Sequence, residues 1–191
     1  AAASNTYAKS FVSGSGGATI DNNAYSPTMS GVFSGSGGLT VSNSGSGGTT
    51  TLSGTNTYTG ATTVGNGAHL KVSGSIDQSS GLTVESGGKI SGSSLKTTSA
   101  LPTTTVTGGT IENDSSDTYQ KSFVSGSGGT TLDTNSYSTT LSGVISGSGG
   151  LTVSNSGSGG TTTLSGTNTY TGATTVENGA HLKVSGSIDQ S

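Results

Sequence analysis

The sequence contains no cysteine, no arginine and no tryptophan, and only 8% of its residues are charged. Without cysteine the chain has no disulfide scaffold, no thiol nucleophile and no thiolate metal site. Without arginine, and with a net charge of -3, it has no basic stripe for nucleic acid or anionic membranes. No apolar run approaches the roughly 20 residues that span a bilayer, and the first residues lack the segments of a signal peptide. We therefore expect no nucleic-acid partner and no direct membrane insertion.

Large apolar side chains are also scarce. Leu, Ile, Val and Phe account for 32 of the 191 residues, whereas Gly, Ser and Thr fill 108 positions. That apolar fraction lies below the roughly 20% at which disorder is suspected, but disordered chains usually carry a high net charge as well. So few apolar residues cannot fill a compact globular core. They can fill a thin core to which each short stretch of chain contributes a few side chains.

The chain repeats itself. Residues 10–79 align without a gap on residues 122–191 at an offset of 112, and 62 of the 70 positions are identical. We therefore divide the chain into a first repeat unit at 1–112 and a second, truncated unit at 113–191, which form one continuous solenoid. The repetition leads us to expect that the chain is part of a longer array.

Within each unit, short strands alternate with glycine-rich turns. Apolar and polar residues alternate at 39–41, 70–72 and 82–84, the pattern of a strand with one buried face. SGSGG segments at 13–17, 34–38 and 44–48 separate such runs and favour turns over helix. The pattern predicts an all-β fold, a parallel β-helix of about 20 to 22 residues per turn with five turns in each unit. An antiparallel β-sandwich and a disordered Gly/Ser linker are the alternatives.

Apolar residues recur at this spacing in two rows, which predict two columns inside the solenoid. The first row is Ile20, Val41, Val64, Val84, Val106 and Leu132, and the second is Leu52, Val72, Ile90 and Ile111. In the second unit, Val153 and Val176 are expected to point inward. The apolar residues amount to fewer than four per turn, so small Ala and Gly residues are expected to complete a narrow core.

The segment at 38–45, together with LSGTNTYTGATTV at 52–64 and Gly67, Ala68, His69 and Leu70, resembles the passenger-associated transport repeat of bacterial autotransporters. The match recurs from Gly150 to Leu182 and covers about a third of the chain. The resemblance implies a right-handed β-helix, secreted and displayed on the outer surface of a Gram-negative cell, commonly as an adhesin or aggregation factor. It also implies an outer-membrane barrel domain elsewhere in the full-length chain.

Residues that carry chemistry are few. The only histidines, His69 and His181, occupy equivalent positions, and alternation turns His69 and Lys71 outward together, so each is interpreted as a surface histidine rather than a base or metal ligand. The acids are scattered, apart from a cluster at 112–117 that is interpreted as a solvated turn. No calcium nonapeptide and no phosphate-binding loop is present. We expect no catalytic residue, no metal and no cofactor, although glycan-active β-helix enzymes remain a competing class.

The outward-facing residues are the remaining functional candidates. We predict that equivalent groups in the two units make self-association or ligand contacts along one side of the rod, namely Thr55, Asn56, Tyr58, Thr167, Asn168 and Tyr170. Many weak contacts along a rod would give useful avidity. The sequence thus favours a stalk-like surface adhesin that mediates cell adhesion, self-association or biofilm formation. The alternative is a solenoid that binds a glycan or ice through threonine and asparagine ladders.

Overall fold

A computed structural model describes residues 5–92 and 103–189. Over these residues the chain forms 24 strands and no helix, and every strand pair is parallel. Paired residues lie 19 to 23 positions apart, from Thr105 and Val124 to Thr28 and Thr51. About eight turns stack into a right-handed β-solenoid, which confirms the predicted fold. In the described ranges no helix is long and apolar enough to cross a membrane.

Three faces make up the rod, and the chain visits them in the same order in each turn. The strands are numbered β1 to β24 along the chain, and each face takes its strands from successive turns. The first face consists of β3 (Ala18–Asp21), β6 (Leu39–Ser42), β8 (Thr62–Val64), β10 (Leu82–Val84), β12 (Thr104–Val106), β15 (Phe123–Ser125) and β18 (Ile145–Ser146), followed by β21 (Thr167–Asn168) and β24 (Ser187–Ile188). The second face consists of β1 (Thr6–Tyr7), β4 (Thr28–Met29), β7 (Thr50–Leu52), β9 (His69–Val72), β11 (Lys89–Gly92), β13 (Gly109–Glu112), β16 (Thr130–Asp133), β19 (Leu151–Ser154) and β22 (Thr174–Val176). The third face consists of β2 (Phe11–Ser13) and β5 (Phe33–Gly35), a bridge between Thr55 and Ser75, and then β14 (Asp117–Tyr119), β17 (Thr139–Leu141), β20 (Thr162–Leu164) and β23 (Leu182–Val184).

Period-two alternation sets which side chains enter the rod. In β8 and β10 the first and third residues are buried and the central threonine is half-exposed. The β-branched threonine suits this outward position on a pleated strand. Tight turns end the strands, and Gly67 adopts a φ of 70° in one of them, a conformation that favours glycine. Short strands and glycine turns therefore follow directly from the sequence pattern.

The first predicted column is confirmed over five turns. Ile20, Val41, Val64, Val84 and Val106 pair in register on the first face. The next residue in that column is Ser125, however, and Leu132 lies on the second face. The prediction of Leu132 was wrong because β15 enters the first face only 19 residues after β12, whereas regular spacing had pointed to a later residue.

The residues of the second predicted row belong to two different inward columns. Leu52 pairs with Val72, and Val72 pairs with Gly92. Ile90 belongs to the neighbouring inward column, where it pairs with Leu70 and Ile111. The two columns are two residues apart along each strand, a shift that sequence spacing alone does not reveal because both positions point inward.

The core is filled by larger and more polar side chains than expected. Ala68 is the only alanine among the buried hydrophobic residues of the described chain. Buried glycines such as Gly92 contribute to the core as expected. Inward threonines and rings complete it, namely Thr50, Thr62, Thr104, Thr130, Thr139, Thr162, Phe33, Tyr58, Tyr119, Phe123 and Tyr170. Val153 is fully buried as predicted, but Val176 is 46% exposed because β22 is the last strand of its sheet and is covered on one side only.

The second repeat unit is rotated by one face relative to the first. On the first face, Thr19, Thr40, Thr63, Thr83, Thr105 and Val124 pair in succession, so five turns take 105 residues. The repeat offset of 112 residues exceeds these five turns by 7 residues, which is about the length of one strand and the turn that follows it. Thr131, the counterpart of Thr19, therefore lies on the second face. The expectation of five whole turns in each unit was wrong, since the unit also contains one additional face.

Candidate functional site

Of the six residues predicted to make outward contacts, four point inward. Asn56, Tyr58, Asn168 and Tyr170 are at most 2% exposed, so their predicted role on the surface was wrong. Thr55 and Thr167 are exposed. Alternation through 55–58 turns the threonines out and the asparagine and tyrosine in, whereas polar character alone favours the surface for all of these residue types.

Asn56 ties three successive turns together. Its Oδ1 accepts a hydrogen bond of 2.9 Å from the backbone N–H of Phe33 in the preceding turn. Its Nδ2 donates to the carbonyl oxygens of Gly54 at 3.0 Å and Ser75, in the following turn, at 2.9 Å. Asn168 makes the equivalent bonds in the second unit. These amides satisfy backbone groups at a corner where the strand ladder is interrupted, so their role is structural.

Tyr58 begins a chain of buried hydroxyl groups. Its hydroxyl lies 2.6 Å from Thr62 Oγ1, which lies 3.0 Å from Ser79 Oγ. The single hydroxyl hydrogen of Ser79 is shared between the carbonyls of Gly60 and Gly81, at 2.9 Å in each case. Burial raises the pKa of Tyr58 to about 12, and its hydrogen bond with Thr62 acts in the opposite direction. This group is therefore a neutral part of the core at physiological pH.

Equivalent outward residues of the two units do not share one side of the rod. The row Thr19, Thr40 and Thr63 lies on the first face, whereas its counterpart Thr131, Thr152 and Thr175 lies on the second. The prediction of identical groups along one side was therefore wrong. The physical reason is the additional face in each 112-residue unit, which rotates each repeated motif to the neighbouring face.

An uninterrupted ladder of threonine side chains lies on the surface of the first face. Five outward threonines pair in register on neighbouring strands of the first face, and we call this row the first ridge: Thr19, Thr40, Thr63, Thr83 and Thr105. Adjacent strands lie about 4.8 Å apart, so the ridge is a regular row of methyl and hydroxyl groups. The ridge carries no charge over its five turns.

A row of small residues runs beside the first ridge. Two positions before the first four ridge threonines stand Gly17, Gly38, Ala61 and Gly81, which we call the first shelf, and Thr103 occupies this position in the fifth turn. Backbone bonds from Ala18 N–H to Gly38 O and from Leu39 N–H to Ala61 O hold successive shelf residues in line. All four shelf residues are exposed or half-exposed. The surface is therefore raised along the threonine side chains and lower along the shelf, where little more than the backbone is present.

The same pair of rows recurs on the second face. There the second ridge is Thr110, Thr131, Thr152 and Thr175, and the second shelf is Gly108, Gly129, Gly150 and Ala173. The chain thus carries two copies of one surface, displaced along the rod and pointing in different directions.

A charged cluster occupies the outer surface of the second face in the first unit. His69 Nδ1 lies 3.1 Å from Thr49 Oγ1, and its Nε2 lies 3.0 Å from Ser91 Oγ and 3.9 Å from Glu112 Oε1. Lys89 contacts the other oxygen of Glu112 at 2.5 Å. The acids at 112–117 were expected to form a solvated turn, but the Glu112 side chain is only 15% exposed. Stacking of β9, β11 and β13 brings these distant residues together.

This arrangement holds a neutral histidine. Burial lowers the pKa of His69, the carboxylate of Glu112 raises it, and Lys89 and Lys71 lower it further, with burial the largest effect. In a serine hydrolase triad, the acid and the serine bind opposite nitrogens of the histidine. Here Glu112 and Ser91 approach the same nitrogen, and Ser91 is 2% exposed. The geometry therefore matches a structural polar cluster. Its counterpart His181 is exposed on the third face.

Two cavities occupy equivalent interior positions in the two units. In the second unit, a cavity of about 10 Å³ is lined by Tyr119, Leu132, Thr139 and Leu141. The counterparts of these residues, Tyr7, Ile20, Pro27 and Met29, line an open cavity of about 320 Å³ at the first turn. The hydroxyl of Tyr119 is buried without a hydrogen-bond partner, and burial raises its pKa. Both cavities are therefore parts of the solenoid interior.

No metal-binding group of three or more His, Cys, Asp or Glu side chains occurs in residues 5–92 and 103–189. Comparison with protein-family models, with curated proteins and with solved structures finds no match for the chain.

Proposed function

We propose that the chain is a non-catalytic segment of a secreted bacterial surface protein of the autotransporter type, which acts as a stalk and mediates self-association or adhesion. The proposal rests on the sequence resemblance to autotransporter passengers and on one structural observation, the repetition of the same ridge and shelf on two faces of a rod. A repeated uncharged surface suits many weak contacts in parallel. Identical passengers or surface glycans are the partners of this proposal.

Avidity makes the proposal testable. Beads that display the chain joined in one, two or four copies are compared for clustering, with beads coated in a plain Gly/Ser linker as the control. Because each added copy binds at a high effective concentration, clustering should rise more steeply than copy number. Clustering in proportion to copy number would instead indicate a discrete ligand site.

A second candidate function is binding of a glycan or an ice surface. The five threonines of the first ridge favour it, because their hydroxyl groups repeat at the strand spacing. The neighbouring row consists of Gly and Ala in four turns and of Thr103 in the fifth, so no second threonine ladder runs beside the first ridge there. Beads coated with polysaccharide, and growth of ice crystals with and without the chain, test this candidate directly.

A further inference from the structure

We infer that the partner of each ridge and shelf is the same surface of a second copy of this chain, docked with the two rods parallel and in register. This inference rests on the proposed function, since it identifies the partner and the surface for self-association. It depends on the shape of the ridge and shelf, on the charges beside them, and on their recurrence on two faces.

The surface is complementary to itself in shape. Each shelf residue lies two positions before its ridge threonine and directly before the strand begins, so the two rows are at most about 7 Å apart. A two-fold axis parallel to the rods and midway between the rows brings the ridge of each copy over the shelf of the other. Thr63 of one copy then faces Ala61 of its partner at the same height. Such a contact is isologous, the usual form of a homodimer interface.

Charge distribution favours this parallel arrangement over an antiparallel one. Two positions after the ridge, on the side away from the shelf, the first face carries Asp21 and Glu85. In the parallel arrangement these acids lie outside the contact, beyond the partner's shelf. If the rods were antiparallel, with ridge against ridge, Asp21 of each copy would lie on the same side as Glu85 of the other and about one turn from it. Like charges that face each other across an interface are unfavourable.

The area of one contact is small. Four turns that carry both ridge and shelf, at about 4.8 Å each, give a length of about 19 Å, and a strip about 12 Å wide then buries about 230 Å² on each partner. Stable pairs bury about 800 Å² on each partner. A single contact is therefore weak, and the surface is suited to rods that are held close together, as on a bead or a cell.

Because the second unit is rotated by one face, the two contacts of one rod point to different neighbours. The first ridge lies on the first face and the second ridge on the second face. Each rod can therefore contact two others at once. This geometry builds bundles or sheets of parallel rods rather than isolated pairs.

Substitution of shelf residues by lysine tests the proposed contact surface without changing the core. Ala61 and Ala173 are exposed shelf residues of the two units, so Ala61→Lys and Ala173→Lys fill each shelf with a long charged side chain. Ser53→Lys and Ser165→Lys make the same change of charge at an exposed matched pair outside both ridges and shelves. Circular dichroism and unfolding curves verify that all variants retain the fold.

Clustering of beads that display the full 191-residue chain is the measurement. The double shelf variant should reduce clustering at least about tenfold, because avidity multiplies the loss of each contact, whereas the double control should cluster like the wild type. Equal clustering by the shelf variant and the wild type would overturn the inference and leave the proposed function intact. Absence of clustering by the wild type would overturn both.

Crosslinking tests the orientation. The chain contains no cysteine, so introduced thiols are unique. Chains with Ala61→Cys mixed with chains with Thr63→Cys on one bead should be joined by a short thiol-reactive crosslinker. The cysteines introduced by Thr19→Cys and Thr105→Cys lie at opposite ends of the first ridge. Chains with Thr19→Cys mixed with chains with Thr105→Cys should therefore not be joined by the same crosslinker. Crosslinking of the second pair in preference to the first would show antiparallel contact and overturn the parallel arrangement.

Discussion

The side chain of Asn56 accepts a hydrogen bond from the backbone N–H of Phe33, 23 residues earlier, at 2.9 Å. Asn56 and Phe33 lie on neighbouring turns, at a corner where only an isolated bridge between Thr55 and Ser75 continues the third face. A side-chain amide thus replaces a strand partner. The oxygen and the nitrogen of the amide have different partners. The oxygen accepts a hydrogen bond from the preceding turn, whereas the nitrogen donates one hydrogen bond within its own turn and one to the following turn.

Replacement of Asn56 by aspartate should unfold the protein more easily. A carboxylate can still accept from Phe33, but its second oxygen would face the carbonyls of Gly54 and Ser75 in a buried site. We expect Asn56→Asp to lower the free energy of unfolding by about 3 kcal/mol. Thr57→Asp, at the exposed neighbouring position, should change it by less than about 0.5 kcal/mol. Denaturant unfolding measures both, and equal losses would exclude a special role for the amide.

The register of the first face predicts opposite outcomes for two adjacent residues. Val64 is fully buried, whereas Thr63 is half-exposed on the first ridge. Val64→Asp would bury an unpaired charge and should cost at least about 3 kcal/mol. Thr63→Asp should be nearly neutral, within about 0.5 kcal/mol. Melting temperatures of the two variants are the measurement, and similar losses would mean that the register is incorrect.

Much of the fold was predictable because alternation and turn spacing are local signals. The runs at 39–41 and 82–84 identified strands, and their spacing identified a solenoid of about 21 residues per turn. The face on which a strand lies was not predictable in the same way. An uncertainty of one or two residues per turn, accumulated over five turns, is enough to assign Leu132 to the wrong face and to miss the rotation between units.

The candidate site was less predictable, because polar residues in this rod lie both inside and outside. Asn56 and Tyr58 look like surface residues in a sequence rich in Thr and Ser, yet both are buried, and neighbouring turns supply their hydrogen bonds. Strict alternation through 55–58 was the available signal. The cluster of His69, Lys89 and Glu112 had no such signal, because the register of three turns creates it.

Removal of the hydroxyl group of Tyr58 should cause a modest, measurable loss of stability. Tyr58→Phe keeps the ring that fills the core and removes the contact of 2.6 Å with Thr62. Thr62 retains its contact with Ser79, so we expect a loss of about 1 kcal/mol. Tyr25 is 49% exposed, and Tyr25→Phe should leave the stability unchanged. A loss above about 3 kcal/mol for Tyr58→Phe would mean that Phe does not fill the same space.

The neutral state of His69 predicts a pH dependence of stability. Its pKa is lowered in the folded protein below the ordinary value of 6.5, chiefly by burial. Below pH 6.5 the unfolded chain therefore binds this proton more readily than the folded chain, and the free energy of unfolding falls as the pH falls toward the folded pKa. The charged side chains near this ring are Glu112, Lys89, Lys71 and Asp114.

Comparison of two histidine variants separates the contribution of His69 to the pH dependence of stability from that of the carboxylates, which also titrate in acid. His69→Asn removes the buried imidazole, so the unfolding free energy of this variant should depend less on pH, as the pH falls below 6.5, than that of the wild type. His181→Asn changes the exposed counterpart in the second unit and should retain the wild-type slope. Denaturant unfolding at closely spaced pH values gives the three slopes. If His69→Asn and the wild type have the same slope, the stability of the folded state does not depend on a neutral histidine at this position.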